Sequence, residues 1–564
     1  MYILGINSVY HESAVCLIKN GEIIFAIEEE RLNRCKHGKP ANIDNPDELP
    51  LESIQAALSF ANIQLSDIES IGYSIDPVAR YKSVYSDEVK LPDSWATGSG
   101  EALFYRQTTN VPLKLYEMGF RGHFHWVAHH TAHAASAYYP SPFNESLILS
   151  LDGIGEDNTS GIFIGKDNQL TKIATISYPN SIGFMWEKFS AYLGFSEYDA
   201  CKVMGMAAYG NAEKFKAQFA EIVKCLPEGQ FTIDNHVLEF RGHSFSNLEK
   251  LFNLPLRRKS DELRQEHYDI AATLQVVTDD IVMNMAQYYL SVTGSRHLCL
   301  AGGVALNCIT NQLLYQQCDI DDIYVQPAAH DAGTAIGAAL YIWHHMMDHK
   351  QRYSMTNAYL GPEYSDLQYE EALSKYDLAW EKSENIYDEV ASLIADNNVI
   401  AWFQGRMEFG PRALGNRSLL ADPRNKAIRD LMNVKVKHRE FFRPFAPSVL
   451  REYANDWFIS RGLPDAAQYM LLAMDVEQDK RDLIPAVTHA DGTARVQLVD
   501  EKINASYARL INSFHKLTGV PILLNTSLND SEPIVCSPED AIKTFLKTRI
   551  DYLVLGHYIV KARH

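Results

Sequence analysis

The sequence predicts an α/β protein whose N-terminal part is one fold written twice. Three observations carry that reading. Residues 2–6, 13–18 and 22–27 read as strands joined by short turns, and Lys19-Asn20-Gly21 between apolar runs is a strong hairpin signal. The same plan recurs at residues 147–151, 160–164 and 170–176, with Lys166-Asp167-Asn168 in the second turn. Polar positions match as well: Asn7 and Asp152 each end a first strand, and His11 and Glu156 follow them by four residues. Self-similarity at a spacing of about 145 residues is the footprint of a duplicated unit.

At 564 residues the chain exceeds one ordinary domain of roughly 150 residues. Apolar residues make up 46% and charged ones 22%, a balance that allows each part a sizeable core. The formal charge of −19 argues against nucleic acid and anionic membrane as partners. Eight cysteines are scattered without a C-x-x-C pair, so reduced thiols and a cytoplasmic setting are expected rather than a disulfide framework. Neither a signal peptide nor a membrane-spanning apolar run is expected.

In chain order, the first turn holds Asn7 and His11, and the third strand runs into Glu28-Glu29-Glu30-Arg31. His129 and His133 lie in an Ala-rich stretch that should be helical. Four residues apart, they share one helix face at roughly 5–6 Å between Cβ atoms. With Asp152 at a strand end they could hold a metal; ordinary helix histidines and a turn aspartate are the alternative. Residues 267–294 carry Ile270, Leu274, Val277, Ile281 and Met285 at helical period, with Gly294 as C-cap. A strand at 297–300 leads into 301-AGGVALN-307. There Gly302 and Gly303 let a backbone approach a ligand, and the helix start after Asn307 suits an anion, which makes this a candidate nucleotide loop. Asp331 follows a strand and precedes a small-residue helix. It reads either as an N-cap or as a fourth ligand beside His129, His133 and Asp152. Mixed imidazole and carboxylate ligation suits Fe(II), Mn(II) or Zn(II). In duplicated actin- and sugar-kinase-like folds two glycine-containing hairpin turns face a shared cleft, and that is the fold class expected for this part.

Residues 345–357 are polar and weakly patterned, which sets the expected boundary between a first domain over 1–350 and a second α/β domain over 358–564. From Arg406 to Arg443 there are ten Lys or Arg against four Asp or Glu, unusual in so acidic a chain. The arginines alternate with Gly, Pro and Phe rather than lying along a helical stripe. Arginine forks and glycine amides together make a phosphate site; a solvated basic face is the alternative. Residues 523–541 read as a strand, a polar loop and a helix start capped by Ser537. Asn525, Thr526 and Ser527 are ligand contacts or turn formers.

YHESA, HHTAHAASAYY, DGIGE, AGGVALN, HDAGTAIGAA, GRMEFGPRALGNRSLL, RPFAPS and NTSLND follow in order over nearly the whole chain. Together they resemble the O-carbamoyltransferases of the NodU/CmcH type, a family that includes nodulation-factor, cephalosporin and tobramycin carbamoyltransferases. The resemblance implies an actin-like (ASKHA) N-terminal domain similar to the TsaD-type enzyme of tRNA threonylcarbamoylation, and a YrdC-like C-terminal domain. It implies that carbamoyl phosphate and ATP, with Mg2+, form carbamoyladenylate in the second domain. The first domain then passes the carbamoyl group to a small-molecule hydroxyl and releases AMP. By motif, His129, His133, Asp152 and Asp331 would hold Fe(II), with Zn(II) or Mn(II) as alternatives. His11 falls on the family's active-site histidine, and Arg412, Lys437, Arg443 and Arg495 fall on the basic motifs of the activating site. Gly302, Gly303, Asn307 and Asn525 would complete the cofactor contacts. KVMGMAAYG departs from the commoner KLMGLAPYG only in packing residues. The expected partner is a hydroxyl acceptor, whose identity the sequence leaves open; segments 76–106 and 178–198 are the candidates for selecting it. Neither nucleic acid nor membrane is expected, and a homodimer is compatible with the reading.

Overall fold

β1 (Tyr2–Asn7), β2 (Ala14–Lys19) and β3 (Glu22–Glu28) form an antiparallel meander. Asn20 and Gly21, at φ 52° and 88°, make the two-residue turn between β2 and β3 that needs left-handed backbone. β4 (Ile68–Tyr73) and β5 (His123–Trp126) add in parallel on the other side of β1, giving the order β3-β2-β1-β4-β5. β6 (Glu145–Leu151), β7 (Asn158–Lys166) and β8 (Gln169–Ser177) repeat the meander. A small ribbon of β9 (Val223–Cys225) and β10 (Phe231–Ile233) follows. β11 (His297–Ala301) and β12 (Asp322–Val325) then extend β6 in parallel. The second sheet runs β8-β7-β6-β11-β12, with the order and strand directions of the first. The duplication expected from the two strand–turn patterns is therefore present in the topology. The coordinates are a computed structural model that describes residues 1–82, 95, 97–437 and 439–562. Part of the 76–106 segment, at 83–94 and Ala96, lies outside the described residues.

The small-residue helix Thr334–Tyr341 packs on both β1 and the helix His129–Tyr138. A Cβ on Gly5 would stand 1.8 Å from the Ala335 carbonyl oxygen, and one on Gly337 would stand 1.7 Å from that of Ala132. Backbones meet there without side chains between them, which is why TAIGAAL carries nothing larger on the meeting faces.

Two compact units divide the chain: Met1–Glu29 with His37–Met355, and Glu30–Lys36 with Thr356–His564. The first is therefore not the unbroken 1–350 that the sequence suggested, because seven mostly polar residues, Glu30–Lys36, leave it. They are held by specific bonds in the second unit. Arg31 Nη2 donates to the Gly410 carbonyl at 2.9 Å, and Arg34 donates to those of Pro533 and Ile534 at 2.6 and 2.8 Å.

The second unit is also α/β. Its main sheet contains β13 (Trp380–Lys382), β14 (Ile400–Phe403), β15 (Arg417–Ala421) and β16 (Ala446–Leu450). A three-stranded sheet follows, made of β17 (Phe458–Ile459), β18 (Ala473–Val476) and β19 (Thr493–Arg495). β20 (Gln497–Val499), β21 (Ile522–Ser527), β22 (Tyr552–Leu555) and β23 (Tyr558–Lys561) complete the main sheet in the order β13-β23-β22-β14-β15-β21-β16-β20. Helices Ile386–Ala395 and Ala505–Thr518 pack together beside it. Among the described residues no helix is long and apolar enough to cross a membrane.

Candidate active site

The helix His129–Tyr138 begins under a carboxylate. Glu156 accepts from the backbone N–H of His129 and from that of Asp76, each at 2.9 Å, a favourable place for negative charge at a helix start. His129 Nδ1 donates to the Ser74 carbonyl at 3.3 Å, which leaves Nε2 for the carboxylates. That Nε2 lies 3.1 Å from Asp152 and 3.5 Å from Asp331. His133 Nε2 lies 3.3 and 3.5 Å from the same two oxygens. All four residues are buried, and one ligand atom from each falls within 4.8 Å of the others. His130, between them in sequence, turns away; it accepts from Ser150 Oγ and donates to the Asn158 carbonyl.

Burial opposes charge on His129, but Asp331 and Asp152 outweigh it and push its pKa well up. Burial likewise opposes charge on Asp152, and His129 and His133 hold its carboxyl well below the usual range. Two imidazoles and two ionised carboxylates that converge on one buried point fit a divalent cation of the zinc, iron or manganese kind. Asp331 is the first residue of a short turn whose N-cap position is His330, and Gly333 holds that position for the helix Thr334–Tyr341, so Asp331 is the N-cap of neither.

The Gly-Gly loop serves this cluster. The Gly303 N–H donates to the second Asp152 oxygen at 3.0 Å. Gly302 has φ 89°, and a Cβ there would stand 2.1 Å from the Leu151 carbonyl oxygen. The close approach read from sequence is thus made to β6. Asn307 caps the helix Cys308–Gln317 by accepting from Ile309 and Thr310 N–H, and donates to Gln275 Oε1.

A cavity of about 550 Å³ opens beside the cluster; Asp152 and Asp331 reach its wall together with Tyr10, His11, Glu187 and Arg241. His11 is presented by the β1–β2 turn. Asn7 Nδ2 donates to the His11 and Glu12 carbonyls at 3.2 and 2.9 Å, while Asn7 Oδ1 accepts from Ser74 Oγ at 2.8 Å. Tyr10 and Glu12 flank His11 at φ 60° and 59°, strained for non-glycine residues and of the kind that collects at functional sites. Burial, then Glu197 and Asp152, push the Glu187 carboxyl up to about 8.

Several residues of this neighbourhood escaped sequence reasoning. Buried Arg80 forms a two-pronged pair with Glu101 at 2.8 Å on each prong, and donates to Tyr10 Oη and to the Gly155 and Glu156 carbonyls. Tyr10 in turn donates to the Gly155 carbonyl at 2.6 Å, and its ring stands edge-on to that of His129. The only trace in the sequence was the charged and aromatic make-up of residues 76–106.

In the second unit, Arg406 and Arg417 spend their guanidinium groups on backbone carbonyls, at Leu360 and Gly361 and at Gln404 and Gly405 respectively. Arg412 is half-buried, and its Nε has no partner. Lys437 is buried; burial, then repulsion from Arg439 and Arg443, push its pKa well down. Its ammonium donates to the carbonyl and side chain of Asn529 at 2.8 Å each, which ties it to the NTSLND loop. Arg443 is half-buried, and Arg495 ends β19. Asn525 is fully buried in β21 and donates to the Ala413 carbonyl, Ser448 Oγ and Gln497 Oε1, so its donors are spent within the sheet.

Residues 2–340 match the model of the carbamoyltransferase N-terminus, and residues 391–562 match that of the carbamoyltransferase C-terminus. The chain belongs to the carbamoyltransferase family. It is therefore an enzyme of that family, with a buried group able to hold a metal. Nodulation protein NolNO of Sinorhizobium fredii is 40% identical over 99% of this chain and 80% of its own length. An uncharacterised protein of Synechocystis is 35% identical over 99% and 96%. Nodulation protein U of Sinorhizobium fredii is 28% identical over 94% of each. Among solved structures, component A of the (R)-2-hydroxyglutaryl-CoA dehydratase of Acidaminococcus fermentans aligns with 61% of this chain and 98% of its own, at 15% identity and a TM-score of 0.34, too slight a likeness to carry an argument.

Proposed function

We propose that this carbamoyltransferase is an ATP-dependent O-carbamoyltransferase, with an actin-like, TsaD-like transfer unit and a YrdC-like activating unit. Carbamoyl phosphate loses phosphate to water, and the carbamate oxygen attacks the α-phosphorus of ATP. Pyrophosphate leaves and carbamoyladenylate forms. The hydroxyl of a small molecule then attacks the carbamoyl carbon, and AMP departs with the electron pair of the broken C–O bond. Nucleic acid and membrane have no part in this reading, in keeping with the charge of −19.

The observation that carries the proposal is the buried His129–His133–Asp152–Asp331 cluster at the wall of a cavity that His11 also lines. A divalent ion held by those four residues, Fe(II) by family resemblance, supplies Lewis-acid polarisation of the carbamoyl oxygen. His11 takes the acceptor proton, a task suited to an imidazole. In the activating unit Arg412, Arg443 and Arg495 neutralise and orient phosphates, with Lys437 fixing the loop beside them. The test is AMP formation from ATP and carbamoyl phosphate across a panel of sugar, aminoglycoside and other hydroxyl compounds; no AMP with any of them sinks the proposal. Arg443→Ala should abolish adenylate formation yet leave transfer from supplied carbamoyladenylate, and His11→Ala should do the reverse.

A further inference from the structure

His11 needs a group that fixes its ring, and the first unit supplies a carboxylate one residue away. The side chain of Glu12 is only 13% exposed, and its Oε1 is 3.9 Å from His11 Nδ1. That Nδ1 is itself buried and has no hydrogen-bond partner. The same Oε1 accepts from His37 Nδ1 at 2.6 Å. Tyr198 packs its ring against both imidazoles, at 5.3 Å from His11 and 4.6 Å from His37. The backbone under this arrangement is fixed by Asn7, which holds the His11 and Glu12 carbonyls, and by the strained φ of Glu12.

We propose that Glu12 is the positioning residue of His11, and that His37 sets how much of the Glu12 charge His11 receives. The proposal rests on His11 acting as the base. Glu12 keeps the proton of neutral His11 on Nδ1, so that the Nε2 lone pair is the one offered to the acceptor hydroxyl. The hydroxyl O–H bond then breaks, its proton goes to Nε2, and the resulting imidazolium faces the Glu12 carboxylate. The proton later returns from Nε2 to water. His37 spends part of the same carboxylate in its own short hydrogen bond, so the two imidazoles compete for one oxygen. His330, paired with Glu28 at 3.5 Å, adds its field to this oxygen. Although burial opposes it, the field of His330, His37 and His11 keeps the Glu12 carboxyl well below the ordinary carboxylate range, so it stays ionised at neutral pH.

The competition gives opposite signs for two substitutions, which a merely structural role does not. The experiment is nitrogen NMR of the full chain, zinc-loaded and labelled at histidine, read at one fixed neutral pH. In Glu12→Gln the ratio of the Nδ1–H to the Nε2–H tautomer of neutral His11 should fall, by up to roughly fivefold, the bound set by a unit-charge pair at this separation in water. In His37→Phe, which keeps a ring against Tyr198 but has no donor, that ratio should rise. Glu12→Asp serves as a milder variant, and metal content and circular dichroism establish that each variant is folded. An unchanged ratio in both variants, or a shift of the same sign in both, overturns the proposal. The base reading fails on a different result, namely unimpaired transfer from carbamoyladenylate by His11→Ala.

Discussion

Gly337→Ala should damage the metal cluster from a distance. The added Cβ would stand 1.7 Å from the Ala132 carbonyl oxygen, a backbone atom of the helix that carries both His129 and His133. The helices must part by roughly 1.5 Å before that contact is an ordinary one. Overpacking of a close-packed interior costs ~1–3 kcal/mol, and a backbone obstacle that no rotamer can relieve belongs at the upper end, near ~3 kcal/mol. Ligand distances tolerate only about 0.2 Å, so a helix displaced by several times that should lose metal affinity by roughly tenfold or more. Urea melts of the metal-free protein and zinc titration against a chelator read the two effects separately. Gly98→Ala is the control, because nothing lies within 4 Å of a Cβ there. If Gly337→Ala melts within ~0.5 kcal/mol of the parent and binds zinc equally well, the reasoning about this helix contact is wrong.

Other substitutions probe the remaining arguments. His129→Ala should lose bound metal while His130→Gln retains it, checked by metal analysis of protein prepared without oxygen; equal metal in both would break the ligand set. Glu187 has a folded-state pKa of about 8, raised from 4.5, so the folded chain holds a proton that the unfolded chain gives up between those values, and wild-type stability falls as pH rises through that window. Glu187→Gln cannot ionise, so it should melt above wild type near pH ~9 and level with it near pH ~4; a gain at the acid end instead would refute the assignment. Arg80→Met leaves the Glu101 carboxylate buried without its partner and should cost ~3–5 kcal/mol in urea melts, most of it recovered in Arg80→Met/Glu101→Leu.

Much of the first unit was legible because its signals are local. Asn20-Gly21 demands its turn, and the i, i+4 spacing of His129 and His133 puts both rings on one helix face whatever packs around them. Asp152 and Asp331 stood out as acids at strand ends. What stayed hidden depends on partners distant in sequence. The glycines of 301–307 announced a close backbone approach, but only the fold shows that the approach is made to Leu151 and Asp152. Asn307 and Asn525 carry amides that sequence cannot assign, and the fold spends the first on a helix cap and the donors of the second inside a sheet. Arg406 and Arg417 looked like phosphate ligands beside Arg412 until their carbonyl partners came into view. Arg80 and Glu101 pair from separate helices across 21 residues, without a shared pattern to betray them. The raised pKa of Glu187 comes from burial first and then from acids in three stretches of chain, invisible to any window.

The excursion of Glu30–Lys36 into the second unit has a consequence for how this chain can be taken apart. The two units are joined by three covalent crossings, after Glu29, Lys36 and Met355, rather than by a single tether. A cut near residue 355 would free residues 356–564 covalently yet leave residues 30–36 on the other fragment, so the two fragments should stay associated through the Arg31 and Arg34 bonds. Conversely, residues 356–564 made alone would lack the guanidinium groups that satisfy the carbonyls of Gly410, Pro533 and Ile534. Grafting that half from one relative onto another would replace those carbonyl partners without the arginines that evolved against them. In recombination the heptapeptide must travel with the C-terminal half, although some three hundred residues separate them along the chain.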